Sequence, residues 1–261
     1  MKKVAALLIG LALIGLVACG SEDTSGSGDA KELVISTEAQ FAPFEFMEGG
    51  EVTGFDVDLA TAVLKEAGYK ATFENVGWET MLQNVENDKV DLAVAAISIT
   101  DDRKLTYDFS DPYFQSTLMI LVPEDSEVGS VGDLEGKTVG VQISTTGADA
   151  AESIYGKNSS QVKKFDSITL AMMSMNQGDV DAVIVDNVVA QEYVKNNPDV
   201  AVKGIYDNSA FESEFYGFMY PKDSELVDEI NEALATVMEN GTYAEIYEEW
   251  FGQQPDMSVF E

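Results

Sequence analysis

Met81-Leu82-Gln83-Asn84-Val85-Glu86-Asn87-Asp88-Lys89-Val90-Asp91-Leu92 can be laid over Ala171-Met172-Met173-Ser174-Met175-Asn176-Gln177-Gly178-Asp179-Val180-Asp181-Ala182 at an offset of 90 residues. Each stretch reads as a helical face, a polar turn, Val-Asp and the start of an apolar strand. A unit used twice predicts two similar α/β lobes; chance convergence on common helix-turn-strand patterning is the alternative. Outward from the first copy, Leu33 to Ser36 reads as a short strand, and Val57, Ala60, Val63, Leu64 and Ala67 recur at helical spacing up to Gly68. Val90 to Ile99 reads as a buried strand. Around the second copy, Gly136 to Val141 and Val183 to Asp186 continue the same alternation. Strands alternating with helices of this length predict an α/β fold with a mainly parallel sheet covered on both faces.

The ends of the chain carry different information. Lys2 and Lys3, the apolar run Val4 to Val17, then Ala18 and the single cysteine Cys19 read as an export signal, too short for a comfortable membrane span. Leu16-Val17-Ala18-Cys19 is similar to a lipobox, so residues 1–18 are expected to be a lipoprotein signal peptide and Cys19 a lipidated mature terminus. Two acyl chains on a thioether would anchor the protein stably to the membrane. Gly20 to Asp29 contain no apolar residue able to join a core, and residues 19–30 read as a flexible tether. At the other end, Leu226, Val227, Ile230, Leu234, Val237 and Met238 share a helical face that stops near Gly241, and Tyr243 to Phe251 form another.

Fifteen basic residues against 47 acidic ones give a net charge of −32. A surface this negative argues against nucleic acid as a partner and would draw cationic solutes inward, although solubility alone accounts for it too. The chain has no histidine, and its one cysteine lies at the expected lipidation site. Imidazole chemistry and Cys/His metal sites are excluded, and no cofactor or metal is expected.

Ser98-Ile99-Thr100-Asp101-Asp102-Arg103 runs off the apolar stretch and places a hydroxyl and a guanidinium five residues apart. The planar fork of arginine meets both oxygens of a carboxylate, which points to a small carboxylic acid as cargo. Thr100 suits an N-cap, with Asp101 and Asp102 in the first turn. A surface arginine paired with Asp108 is the plainer reading. Gln142-Ile143-Ser144-Thr145-Thr146-Gly147 places hydroxyls at an expected helix start. A helix cap explains Thr145 or Thr146 equally well. Asp186 ends the run Ala182 to Val185 at the mouth of an open α/β lobe, where ligands commonly bind, or caps the helix that follows.

These strings, with Gly54-Phe55-Asp56-Val57-Asp58-Leu59 and Asp108-Phe109-Ser110-Asp111-Pro112-Tyr113, resemble the family 3 extracellular solute-binding proteins, the amino-acid receptors of ABC importers. The likeness covers nearly the whole mature chain. It implies a two-lobed periplasmic-binding-protein type II fold, with residues 31–116 and 217–261 in the first lobe, 117–216 in the second, and hinge strands at Tyr113–Thr117 and Glu212–Tyr216. It also implies a monomer that binds a free amino acid between its lobes and docks on an ABC permease. Arg103 and Ser98 would meet the α-carboxylate, Asp186 the α-ammonium, and Thr145 or Thr146 the carboxylate from the second lobe. Ser144 stands where the family usually has glycine. Glu38, Phe41 and Trp78 would choose the side chain, and an acid at the Glu38 position often marks receptors for arginine, lysine and similar cations; glutamine or another polar amino acid is the alternative. A few proteins of this general fold are enzymes, including periplasmic dehydratases, and for that class Glu38 would be the acid or base.

Overall fold

In the computed structural model, which describes residues 30–260, the repeated unit folds twice in the same way. β1 (Glu32–Thr37) leads through a small meander of β2 (Gln40–Phe41), β3 (Glu45–Glu48) and β4 (Glu51–Thr53) to α1 (Phe55–Glu66), β5 (Lys70–Asn75), α2 (Trp78–Glu86) and β6 (Leu92–Ala93). α3 (Asp101–Lys104) and β7 (Tyr107–Phe109) follow, then the long strand β8 (Phe114–Pro123). Beyond it come β9 (Val139–Gln142), α4 (Thr146–Tyr155), β10 (Val162–Phe165), α5 (Ile168–Asn176), β11 (Ala182–Asp186), α6 (Asn187–Asn196) and β12 (Val202–Ile205). β13 (Ser213–Tyr216) and β14 (Met219–Pro221) bring the chain back, and α7 (Leu226–Glu239) and α8 (Thr242–Phe251) close it. The expected signal peptide, the lipidation site Cys19 and all but the last residue of the expected tether lie outside the described residues.

α2 and α5 begin and end at positions 90 apart, and the residues that close them, Asp88 at φ 51° and Gly178 at φ 81°, both adopt the left-handed conformation. After each turn the Val-Asp aspartate does the same work. Asp91 accepts the Val34 amide of β1 at 2.7 Å, and Asp181 accepts the Thr138 amide ahead of β9 at 2.6 Å. Each carboxylate so ties the start of the neighbouring strand to the strand that follows it. The repeat is therefore structural, down to the hydrogen bonds that make the pattern.

In each unit the first strand lies between two parallel neighbours, β5 and β6 around β1, β10 and β11 around β9. The expectation of mainly parallel sheets holds for those three strands only. β14 and β8 join their sheets antiparallel, because each belongs to a segment that crosses from the other half of the chain. A second correction concerns Val90 to Ile99: continuous strand pairing covers only Leu92 and Ala93 there, with an isolated bridge from Ser98 to Tyr216, although Leu92 to Ser98 are all buried. Ala96 turns to φ 45°, and its amide is taken by the carboxylate of Asp56 at 2.6 Å instead of a neighbouring strand.

α1 buries Phe55, Leu59, Ala60, Val63 and Leu64 on one face, against the sheet and against Ile230, Leu234 and Val237 of α7. Burying a side chain of this size fully contributes about 1.5–3 kcal/mol, so this stripe is a main support of the first lobe. Its entry depends on Gly54, at φ 137°, where a Cβ would stand 2.0 Å from the Phe44 carbonyl oxygen. Phe44 in turn packs edge-on to Phe114 of β8 and Tyr216 of β13, whose rings stack with centroids 5.5 Å apart. β8 and β13 run antiparallel with Phe114 opposite Tyr216 and Glu214 opposite Ser116. The two crossing strands thus enter an aromatic cluster at one end and lie beside the cleft at the other.

Candidate functional site

A cleft with about 450 Å³ of empty space, open solvent at its mouth included, lies between the two sheets. All eight residues expected to bind ligand line it: Glu38, Phe41, Trp78, Ser98 and Arg103 from the first half, Thr145, Thr146 and Asp186 from the second. They come from β-strand ends and helix starts that the parallel connections place on one edge of each sheet.

Arg103 projects from α3, whose N-cap Thr100 accepts the Arg103 amide at 3.1 Å. Its guanidinium donates to the carbonyl oxygens of Ser98 at 2.8 Å and Ser144 at 3.1 Å and lies 5.4 Å from the centre of the Trp78 ring. Asp108 is not its partner, since Asp108 pairs with Lys222 at 2.7 Å. Arg103 is held by carbonyls and a ring, and among the described residues it makes no salt bridge, the Glu214, Asp149 and Asp186 carboxylates acting on it from farther off. Trp78 also donates its indole N–H to the Ser144 carbonyl at 3.2 Å. Ser144 adopts φ 61°, so its carbonyl meets two donors from the opposite lobe in a conformation that favours glycine.

Thr145 is the N-cap of α4: its hydroxyl donates to the Gln142 carbonyl at 2.8 Å and accepts the Ala148 amide at 3.2 Å. The capping alternative is thus realised at Thr145. Thr146 and Ser98 instead donate their hydroxyl hydrogens to the same oxygen of Glu214, at 2.9 and 2.6 Å. In this arrangement the Ser98 oxygen presents lone pairs, which suit an ammonium; the expected donation to a carboxylate is not available to it. Gly147 lets the start of α4 settle on β11, where a Cβ would stand 2.9 Å from the Ile184 carbonyl oxygen.

Asp186 occupies the N-cap position of α6 without a side-chain capping bond. Its carboxylate accepts from Ser116 of β8 at 3.1 Å and from the Tyr216 hydroxyl of β13 at 2.5 Å, so both crossing strands orient it. Burial, with Glu214 close by, pushes its pKa up to about 6. Glu38 is 4% exposed, and burial pushes its pKa up to about 7 against hydrogen bonds from Gln142 and the Trp78 backbone. Gln142 Nε2 donates to Glu38 Oε2 at 2.7 Å across the cleft, while Glu38 Oε1 is buried without a hydrogen-bond partner among the described residues.

Three participants were not singled out in the sequence. Gln142 and Glu45 line the cleft, and Glu214 fastens two of its hydroxyls. Gln142 and Glu214 sit inside stretches already marked and Glu45 lies outside them, and nothing local distinguishes any of the three from its neighbours. Glu45 is fully buried beside Asp56, and burial with that neighbouring charge lifts its pKa well above the ordinary range. Asp56, in the first turn of α1, is also buried. It accepts from Ala96 and from the Tyr113 hydroxyl at 2.8 Å, and its pKa rises to about 6. Like charges this close do not both ionise readily, and the interaction between the two raises Glu45 while it lowers Asp56, which gives the proton to Glu45. Among the described residues no cluster of His, Cys, Asp or Glu could hold a metal ion.

Compared with known proteins, residues 33–253 match the family model described as bacterial extracellular solute-binding proteins, family 3. The chain is 34% identical to a probable histidine-binding protein of Neisseria gonorrhoeae, with 97% of each chain covered. It is 32% identical to the arginine-binding extracellular protein ArtP of Bacillus subtilis, covering 96% of this chain and 98% of that one. Among solved structures, the arginine-, lysine-, histidine-binding protein ArtJ of Geobacillus stearothermophilus superposes with a TM-score of 0.87 at 48% identity, covering 88% of this chain and 99% of that one.

Proposed function

The chain belongs to the family 3 bacterial extracellular solute-binding proteins, and from that premise we propose that it captures a free cationic amino acid, of the arginine or lysine type, and delivers it to an ABC importer by closing its lobes. Family membership makes it a binding protein and not an enzyme. Arg103 takes the α-carboxylate, Asp186 with the Ser98 oxygen takes the α-ammonium, and Glu38 takes the side-chain cation. Phe41 and Trp78 form apolar walls. Residues 31–116 with 217–261 and residues 117–216 are the moving lobes, joined at β8 and β13.

The observation that carries the choice of a cationic ligand is the buried, unpartnered Glu38 Oε1 on the cleft wall. With Glu45 holding its proton, the ionisable carboxylates that line the cleft are Glu38 and Asp186, against one guanidinium, while Glu214 behind the wall is engaged by the Ser98 and Thr146 hydroxyls. A zwitterion answers Arg103 and Asp186 and leaves Glu38 without a counter-charge. An amino acid with a cationic side chain supplies it; a neutral one leaves a buried acceptor unsatisfied, at a cost of about 1–3 kcal/mol. The relatives named for arginine, lysine or histidine agree with this choice.

Ligand contacts made to both lobes favour the closed form, and that shape is what a permease reads. A lipid on Cys19 tethers the monomer outside the cytoplasmic membrane, within reach of that permease. Calorimetric titration against the twenty amino acids, ornithine and cystine tests the function: arginine and lysine are expected to bind, and a response confined to neutral amino acids would refute the assignment.

A further inference from the structure

Glu214 lies on β13 opposite Ser116, in the pair of strands that joins the lobes. One of its oxygens accepts from Ser98 of the first lobe at 2.6 Å and from Thr146, at the start of α4 in the second, at 2.9 Å. We propose that Glu214 is a positioning residue, a carboxylate on the hinge that takes a hydroxyl from each lobe onto a single oxygen and so latches the cleft in its closed, ligand-holding form.

The geometry gives this residue a leverage that the cleft-lining groups lack. Arg103, Trp78 and Gln142 also bridge the cleft, through the Ser144 carbonyl and Glu38, but each does so from one lobe directly to the other. Glu214 meets both through the protein itself, from the strand about which they move. Separation of the lobes carries Ser98 away from Thr146, so one oxygen cannot keep both hydroxyls, and at least one charge-assisted hydrogen bond is lost on opening. Closure restores it, which favours the closed state by the difference.

The same bonds set the polarity of the site. Each hydroxyl has a single hydrogen, and while it is donated to Glu214 the oxygen accepts only. Ser98 is thereby held as an acceptor on the cleft wall beside Arg103 and Asp186. The neighbouring charges agree with this placement: Glu214 is the foremost carboxylate supporting the charged form of Arg103, and it opposes ionisation of Asp186.

The inference rests on the amino-acid reading of the cleft, and the test separates the two. Stopped-flow binding of L-arginine to the full-length protein is compared for wild type, Glu214→Ala and Glu214→Gln. The alanine variant is expected to release arginine about tenfold faster, the scale of one lost hydrogen bond to a charged group, with an association rate within about threefold of wild type. Its melting temperature without arginine should stay near wild type, which a general packing defect would not allow. Glutamine keeps an acceptor oxygen without the charge and should lie between, about threefold faster than wild type.

Release from the alanine variant at or below the wild-type rate overturns the latch while leaving the amino-acid reading intact. If alanine does not fold, a glutamine variant that releases arginine at the wild-type rate overturns it instead. Should wild type bind no arginine, the cationic reading fails first. Small-angle scattering without ligand then decides the latch: Glu214→Ala must be more open than wild type, and equal dimensions overturn it.

Discussion

Glu38→Gln is expected to stabilise the chain and weaken its grip on arginine at the same time. Burial raises the Glu38 pKa from 4.5 to about 7. Between those values the folded chain holds a proton that the unfolded chain has released, so stability falls as pH rises through that window and stays low above it. The interval is about 2.5 pH units, and at about 1.4 kcal/mol per unit the charged form costs up to roughly 3 kcal/mol near pH 8. Glutamine removes that cost and can still accept from Gln142 through its amide oxygen, the contact that Glu38 makes at 2.7 Å. A gain of about 1–3 kcal/mol near pH 8 is expected, raising the melting temperature by about 2–4 °C per kcal/mol, and it should vanish near pH 4. Arginine loses a charge-assisted partner, about 1.5–3 kcal/mol, so its Kd should rise by about 10- to 100-fold while glutamine binding changes little. Differential scanning calorimetry at both pH values and isothermal titration with both ligands measure the two effects. A variant that melts lower than wild type near pH 8, or that binds arginine as wild type does, would refute the reasoning.

Arg103→Ala and Asp186→Ala are each expected to abolish tight arginine binding while leaving far-UV circular dichroism unchanged, since both side chains face the cleft; unchanged affinity in either variant rejects its role. Arginine affinity should fall as pH drops through about 7 and then about 6, as Glu38 and Asp186 take up protons, by up to about tenfold per pH unit for each proton bound, and a titration series flat from pH 8 to 5 contradicts this. Ser144→Gly relieves a left-handed serine at φ 61° and is expected to raise stability by up to about 1 kcal/mol in urea unfolding, with a loss of that size counting against it. Cys19→Ser should release the protein from the membrane fraction of a cell lysate, and retention there contradicts the tether.

The architecture was legible because its grammar is local and repeated. Asp91 and Asp181 each fasten a neighbouring strand by the same bond, so a twelve-residue match reported a real structural unit. That Arg103 and Asp186 face one cleft was legible too, because strand ends in α/β lobes gather on one edge. The hydrogen-bond partners were not. Ser98 reads as a donor to ligand until Glu214, 116 residues away, takes its hydrogen. Thr145 and Thr146 are adjacent and chemically alike, and only folding assigns one to the α4 cap and the other to Glu214. Asp56 stands where a solvated helix acid would stand, and its burial depends on Ala96 and Tyr113 closing over it. The apolar run from Val90 to Ile99 gave no sign of the turn at Ala96, since alanine has no turn signature and the turn is imposed by the Asp56 carboxylate.

A crystal structure with bound L-arginine tests the central claim most directly. It should place the α-carboxylate on Arg103, the α-ammonium on Asp186 and the guanidinium on Glu38 Oε1, with contacts from both lobes. Arginine bound outside the cleft, or held at both backbone ends by a single lobe, would contradict the account.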